Sequence, residues 1–438
     1  EEPYGYSLNL DRDKVFGSSN IDRMVVDILK TGIVSGIYQL ESEGEFKKPG
    51  WLNKYPAHER FAEHVNDEGI VLLANHGILP LEPTPKGKIL VSGNAATQKE
   101  LSGGGSGHVI GYDLNTYLQS VQRTFGQNNV VYSENPTGAE IKSAGLVLLF
   151  TGRPGHEGEG SNHPFELPDD SLIARCTKLN PRTVVNLICG GGAQMDWANR
   201  AAAIVLAFYG GQTGPAALLD VLTGKINPSG KLPFTIEKHF ADSCAAGDDA
   251  LVKPGPILTD PKDLARRVRP TKRSDFLKKA KGDEYYTYNL PYKEGIFVGY
   301  RWYDEKGIEP RFPFGFGLSY TEFEYSNLQV TAHGNAEAPS ATLRFKIANT
   351  GKRAGDEIAE VYVEFPKTNL PQPKRELKGF ARVHLAPGES KGVTIQLGPE
   401  AFSCWSPTKK NWVVPPGKFK IDVGASSRNI RLAQSLSL

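Results

Sequence analysis

Five short and almost uninterrupted apolar runs recur through the first half of the chain: Lys88–Val91, Asn129–Tyr132, Gly145–Phe150, Thr183–Ile188 and Ala203–Phe208. An apolar run without polar alternation is the signature of a strand covered on both faces. Strands joined by helical crossovers run parallel, because each crossover returns the chain to the same end of the sheet. Helical segments are read near Leu114–Gln122, Asp170–Leu179 and Pro215–Leu222. The pattern predicts an α/β sandwich, a mostly parallel sheet with helices on both faces, over residues 57–241.

After Thr321 the period changes from continuous to alternating. Leu328–Ala332, Ser340–Ala348, Ile358–Phe365, Gly379–Leu385, Lys391–Leu397 and Lys418–Val423 alternate apolar and polar residues between turns. Residues 321–438 are therefore expected to form an all-β, immunoglobulin-like sandwich. Between the two, residues 242–320 read as a long insertion and linker, polar and Pro-broken at first. Upstream, Ser19–Thr31 reads as an amphipathic helix, with Ser19 and Asp22 spaced as a capping box. A polar connector (Glu41–Pro56) leads to a second helix over Ala57–Ala74, stopped at Asn75-His76-Gly77.

Composition narrows the function classes. With 39% hydrophobic and 23% charged residues and a formal net charge of +2, nothing favours nucleic acid or a membrane surface. The one basic stretch, Arg266–Lys281, is followed at once by Asp283-Glu284 and reads as a solvated face. No apolar run approaches the ~20 residues of a membrane span. Four scattered cysteines (Cys176, Cys189, Cys244, Cys404) suit neither a disulfide framework nor a zinc site. The chain opens on Glu1 without a basic and apolar leader, so its start is expected to be processed or truncated.

Three loops carry candidate chemistry. Thr151–Pro168 follows the strand Gly145–Phe150 and so leaves a strand's C-terminal end, where open α/β sheets place ligands. It holds Glu157 and Glu159 between glycines; the plain alternative is a solvated acidic loop. Gly103-Gly-Gly-Ser-Gly107 lacks the Gly-Lys-Ser/Thr ending of a phosphate loop. Asp196, in Met195-Asp-Trp197, reads as a helix-start or sheet-edge residue.

Several long motifs resemble glycoside hydrolase family 3. They are Glu68-Gly-Ile-Val-Leu-Leu-Ala-Asn75 with Leu79-Pro-Leu81, and Asn227-Pro-Ser-Gly-Lys-Leu-Pro-Phe-Thr235 after Tyr209-Gly-Gly-Gln-Thr-Gly214. Further on come Glu294-Gly-Ile-Phe-Val-Gly-Tyr-Arg301, Phe312-Pro-Phe-Gly-Phe-Gly-Leu-Ser-Tyr-Thr321, and Leu377-Lys-Gly-Phe380 with Leu385-Ala-Pro-Gly-Glu-Ser390. The resemblance implies the family's α/β-sandwich domain followed by a fibronectin type III-like domain. It also implies a retaining, exo-acting β-glycosidase of the β-glucosidase type, acting on a β-linked glycoside without a cofactor or metal.

Retention requires two carboxylates about 5–5.5 Å apart, a nucleophile and an acid/base. In the family the nucleophile is an Asp of an N-terminal barrel, within a Ser-Asp-Trp-like motif, and the acid/base is a Glu on a loop of the second domain. Glu159 matches that acid/base best, with Glu157 as the alternative. Arg153, His156, Asn162 and His163 become candidate substrate contacts, with Ser106 further out. The family commonly has Asp-Arg where this chain has Asn162-His163. Trp51, Trp302 and Tyr303 are candidate sugar-stacking aromatics.

Ile21–Leu29 with Gly32–Tyr38 resembles the end of the family's barrel, and residues 1–56 read as its remnant and linker. Two readings stay open. One is an enzyme half partnered by an N-terminal barrel chain that carries the nucleophile, which the apolar face of the first helix favours. The other is a catalytically silent carbohydrate-binding or scaffold module, and a structural or adhesion role for the β-sandwich is a weaker third. A homo-oligomer also stays open, and a secreted or periplasmic location is expected.

Overall fold

A computed structural model describes residues 19–38, 55–84, 86–99, 103, 107–109, 111, 114–153, 155, 166–244, 246, 292 and 294–437. The chain divides into two units, 1–62 and 63–438. In the first, helix α1 (Ser19–Val34) leaves Met24, Ile28, Ile33 and Val34 exposed. Among the described residues no helix is long and apolar enough to cross a membrane.

The helix expected over Ala57–Ala74 is corrected. Helix α2 (Tyr55–Gly69) ends at Gly69, and Val71–Asn75 is strand β1. Ile70, Val71, Leu72 and Leu73 are all buried, and short apolar runs fit a buried strand or a helix end equally well by period. Here pairing decides: β1 runs antiparallel to the last strand of the sheet.

The strands β2 (Ile89–Ser92), β3 (Val130–Tyr132), β4 (Leu146–Gly152), β5 (Thr183–Ile188) and β6 (Ala203–Leu206) are mutually parallel, in the order β1-β6-β5-β4-β2-β3. Alternate residues supply opposite faces. Ile89, Val91, Leu146, Leu148 and Phe150 pack with α3 (Tyr117–Phe125) and α6 (Gly214–Thr223). Leu90, Val147, Leu149, Val185 and Leu187 pack with α4 (Gly138–Ser143) and α5 (Asp170–Leu179). The sheet is thus covered on both sides, as its uninterrupted runs require. Helix α3 starts later than the apolar period suggests, because Thr116 and Gln119 close a capping box there.

Beyond α7 (Tyr300–Lys306), residues 312–320 return along the α/β domain: Ile236 bonds Phe312, Leu232 bonds Phe316, and Leu318 bonds Leu72. The chain then enters a sandwich of two antiparallel sheets. The first comprises β10 (Glu376–Leu385), β9 (Gly355–Glu364), β14 (Lys418–Gly424) and β15 (Ile430–Ser437). The second comprises β11 (Ser390–Leu397), β8 (Pro339–Asn349) and β7 (Phe323–Gly334). Leu343, Phe345, Val361, Phe419 and Ile421 fill the space between them. A separate hairpin joins β12 (Cys404–Ser406) to β13 (Asn411–Val413).

Polar side chains fasten the sandwich to the α/β domain. Asn227 donates to the Ala354 carbonyl at 2.9 Å and accepts from Ser319 Oγ and the Tyr320 amide. Arg382 reaches Glu68 at 2.6 Å and Asp356 at 2.5 Å.

Candidate active site

The loop after β4 leaves the sheet at a topological switch. The chain passes from β2 outward to β3, then returns across β2 to β4, and crevices open at the carboxyl ends of such strand pairs. At that point Asn94, just past β2, grips the end of β4. Its side-chain amide donates to the Gly152 carbonyl at 2.7 Å, and its side-chain oxygen accepts from the Gly152 amide at 2.8 Å. The Asn94 amide in turn donates to Asp169 Oδ2 at 2.8 Å. One residue therefore holds both feet of the loop. Gly93 makes this approach feasible: its φ is +100°, and a Cβ there would lie 2.2 Å from the Phe150 oxygen.

The far foot has its own anchor. Asp170 accepts from the Trp197 indole at 2.9 Å and from the Leu167 amide at 3.1 Å. Burial pushes the Asp170 carboxyl up, opposed by those two hydrogen bonds. On the near side, Tyr209 Oη donates to the Arg153 carbonyl at 2.6 Å. A Cβ on Gly155 would meet that hydroxyl at 3.1 Å, and one on Gly190 would lie 2.8 Å from the Tyr209 ring. The two glycines make room for this ring. Phe208, immediately before it, holds a φ of +53°, an uncommon conformation for a residue with a side chain.

Of the predicted site residues, Arg153 stands at the base of this loop, its guanidinium bonded to the carbonyls of Gly192 at 3.3 Å and Glu166 at 3.5 Å. Those bonds brace the loop's base across to the end of β5. Glu159, Glu157, His156, Asn162, His163 and Ser106 lie outside the described residues, as does Trp51. Gly103, opening the glycine-rich loop that contains Ser106, would carry its Cβ 3.9 Å from the Gly155 oxygen, so the two glycine-bearing loops meet. Asp196 is exposed and accepts from Gln194 at 3.0 Å.

One aromatic assignment is revised. Tyr303 is only 6% exposed and hydrogen-bonds Glu237, so it offers no face to a sugar. Trp302 donates its indole N–H to the Asp242 carbonyl at 3.0 Å, and Lys306 Nζ sits 4.9 Å over its ring. Sequence reasoning missed Asn94, Asp169, Asp170, Trp197 and the role of Tyr209. The one available signal was Asp169-Asp170 at the end of an apolar-to-polar transition, an acidic pair where a helix begins.

Replacing Asn94 by alanine removes both bonds to Gly152 and is expected to destabilise the folded unit by about 2 kcal/mol. Chemical denaturation checks this; an unchanged midpoint would mean the Gly152 pairing is energetically idle.

Residues 70–320 match the family model of the glycosyl hydrolase family 3 C-terminal domain, and residues 357–427 match that of a fibronectin type III-like domain. The thermostable β-glucosidase B of Acetivibrio thermocellus is 32% identical over 99% of this chain and 56% of its own length. The β-glucosidase BoGH3A of Bacteroides ovatus is 33% identical over 88% of this chain and 52% of its own. The structure of β-glucosidase 3B from Thermotoga neapolitana in complex with glucose superposes with a TM-score of 0.70 at 28% identity. That superposition covers 87% of this chain and 54% of that one. The chain thus spans about half the length of the curated relatives it matches.

Proposed function

Because the chain belongs to glycoside hydrolase family 3, we propose that it is the acid/base-bearing half of a retaining, exo-acting β-glycosidase of the β-glucosidase type. Glu159 is the general acid/base and Glu157 the alternative. An N-terminal barrel outside this sequence supplies the nucleophilic Asp. The observation that carries this reading is that the loop after β4 leaves the sheet at the switch between β2 and β4. The loop bearing both glutamates starts and ends on residues pinned by Asn94, Tyr209 and Asp170. The exposed apolar residues of α1 support a barrel packed against that helix.

Chemically, the acid first protonates the leaving oxygen while the barrel carboxylate attacks the anomeric carbon. The same glutamate, now deprotonated, then takes a proton from the water that releases the sugar.

The stereochemistry of the first product tests this. With the barrel present, NMR of aryl β-glucoside hydrolysis is expected to show the β-anomer first, with the α-anomer arising only by later mutarotation. The α-anomer first would overturn the retaining mechanism, and an inactive barrel complex would favour a silent module.

A further inference from the structure

The β-sandwich carries an aromatic groove that shares no residue with the candidate active site. Phe380 on β10 and Trp412 on β13 are 69% and 63% exposed. They border a groove of about 710 Å³ whose other walls include Leu377, Lys378, Glu400 and Ser403. Strand β10 is the edge of its sheet, and its register shifts between Leu377 and Gly379. Lys378, the unpaired residue of that shift, and Phe380 both border the groove. On the hairpin opposite, Trp405 and Trp412 are paired directly across the strands. Their rings meet edge to face at 5.9 Å and 73°, which props the Trp412 indole in place.

We propose that this groove binds a neutral glycan chain, with the Phe380 and Trp412 rings as platforms for pyranose faces. A pyranose presents a C–H-rich face and a rim of hydroxyls, so it needs flat apolar rings edged by a few polar groups. The Glu400 carboxylate and the Ser403 hydroxyl, which donates to the Pro399 carbonyl and keeps its acceptor capacity, supply that edge.

Charge and size select the occupant. Lys378 lies 2.7 Å from Glu376, which is also 3.2 Å from Arg301. The groove's cation is therefore neutralised within the protein, and an anionic ligand gains nothing there. The volume falls within the roughly 300–1,000 Å³ of small-ligand sites.

Isothermal titration of this chain with cellohexaose, and separately with laminarihexaose, tests the proposal. At least one is expected to bind saturably, and Trp412→Ala and Phe380→Ala are each expected to weaken it about tenfold or more. Both side chains are exposed, so thermal unfolding of each variant is expected to match the parent. Should Trp412→Ala unfold early, Phe380→Ala decides. Absence of saturable binding to either hexaose overturns the proposal, as does unchanged affinity in both variants. A parent that sediments as a dimer while Trp412→Ala sediments as a monomer would overturn it too, by assigning the groove to a second copy.

Discussion

Replacing Glu159 by glutamine in the barrel-completed enzyme is expected to slow hydrolysis of alkyl and oligosaccharide β-glycosides by roughly 10²–10⁴-fold. The size of the loss follows from what the residue does in each step. An alkoxide is a poor leaving group, so bond cleavage without a proton donor is slow. A nitrophenolate leaves unaided, so aryl substrates are expected to form the glycosyl-enzyme at a near-normal rate and then stall for want of a base. A pre-steady-state burst with aryl substrates, absent in the parent, is the kinetic sign of that stall. Glu157→Gln is expected to leave both steps largely intact. If the burst and the leaving-group dependence appear in Glu157→Gln instead, the acid/base assignment moves to Glu157.

The second large effect concerns stability. Glu360 on β9 is 4% exposed, accepts from Tyr362 Oη, and lies where a Cβ on Gly315 would come within 2.2 Å of its carboxylate. Around it are Glu357, held by Tyr325 at 2.7 Å and by Lys231 at 3.6 Å, and the phenol of Tyr300, whose ring meets that of Tyr362. Burial, with Glu357 adding repulsion, raises the Glu360 carboxyl to about 7, against the pull of Tyr362 and Lys231.

A carboxyl raised on folding binds its proton more tightly in the native state than in the unfolded one. Its contribution is therefore full below about 4.5 and is lost as pH rises through about 7. The loss amounts to on the order of 3 kcal/mol. Half-buried Asp67, raised to about 6 chiefly by burial, adds a smaller slope of the same sign because solvent screens it. Asp356 works the other way. Despite its burial, bonds from Arg382 and His384 hold its carboxyl low, so its contribution is lost only under acid conditions below this window. Urea unfolding at pH 5, 6, 7 and 8 is expected to show the parent weakening with pH while Glu360→Gln keeps only the shallower slope that Asp67 supplies. Parallel curves for the two proteins would show that the carboxyl ionises without cost.

Where the fold was legible in the sequence, one physical rule sufficed. Residues 146–150 and 183–188 are buried on both faces, so they are apolar except at Thr183 and Asn186, whose side chains donate to the Asn180 and Leu149 carbonyls, and the run itself announced the strand. The sandwich strands alternate for the complementary reason: Leu343, Phe345 and Ile347 point into the core while Arg344 and Lys346 face water. Val71–Asn75 misled because an apolar stretch adjoining a helix carries no period of its own, and only pairing with β6 identifies it. The β12–β13 hairpin was invisible because its three-residue strands are too short to show a period.

The site was legible in a different measure. The position of the candidate loop followed from the strand before it, but its anchors did not. Asn94 acts through Gly152 and Asp169, dozens of residues away, and no local pattern records such a partner. Gly155 and Gly190 both make room for Tyr209, a partner that the sequence around them does not reveal.

Azide rescue tests the central claim, that this chain supplies the acid/base of a retaining glycosidase, most directly. In the barrel-completed Glu159→Gln enzyme, azide needs no general base and can attack the stalled glycosyl-enzyme. The account predicts restored turnover of aryl β-glucosides and accumulation of the β-glucosyl azide, with neither effect in the parent. Turnover that azide does not restore, or an α-configured azide product, would contradict it.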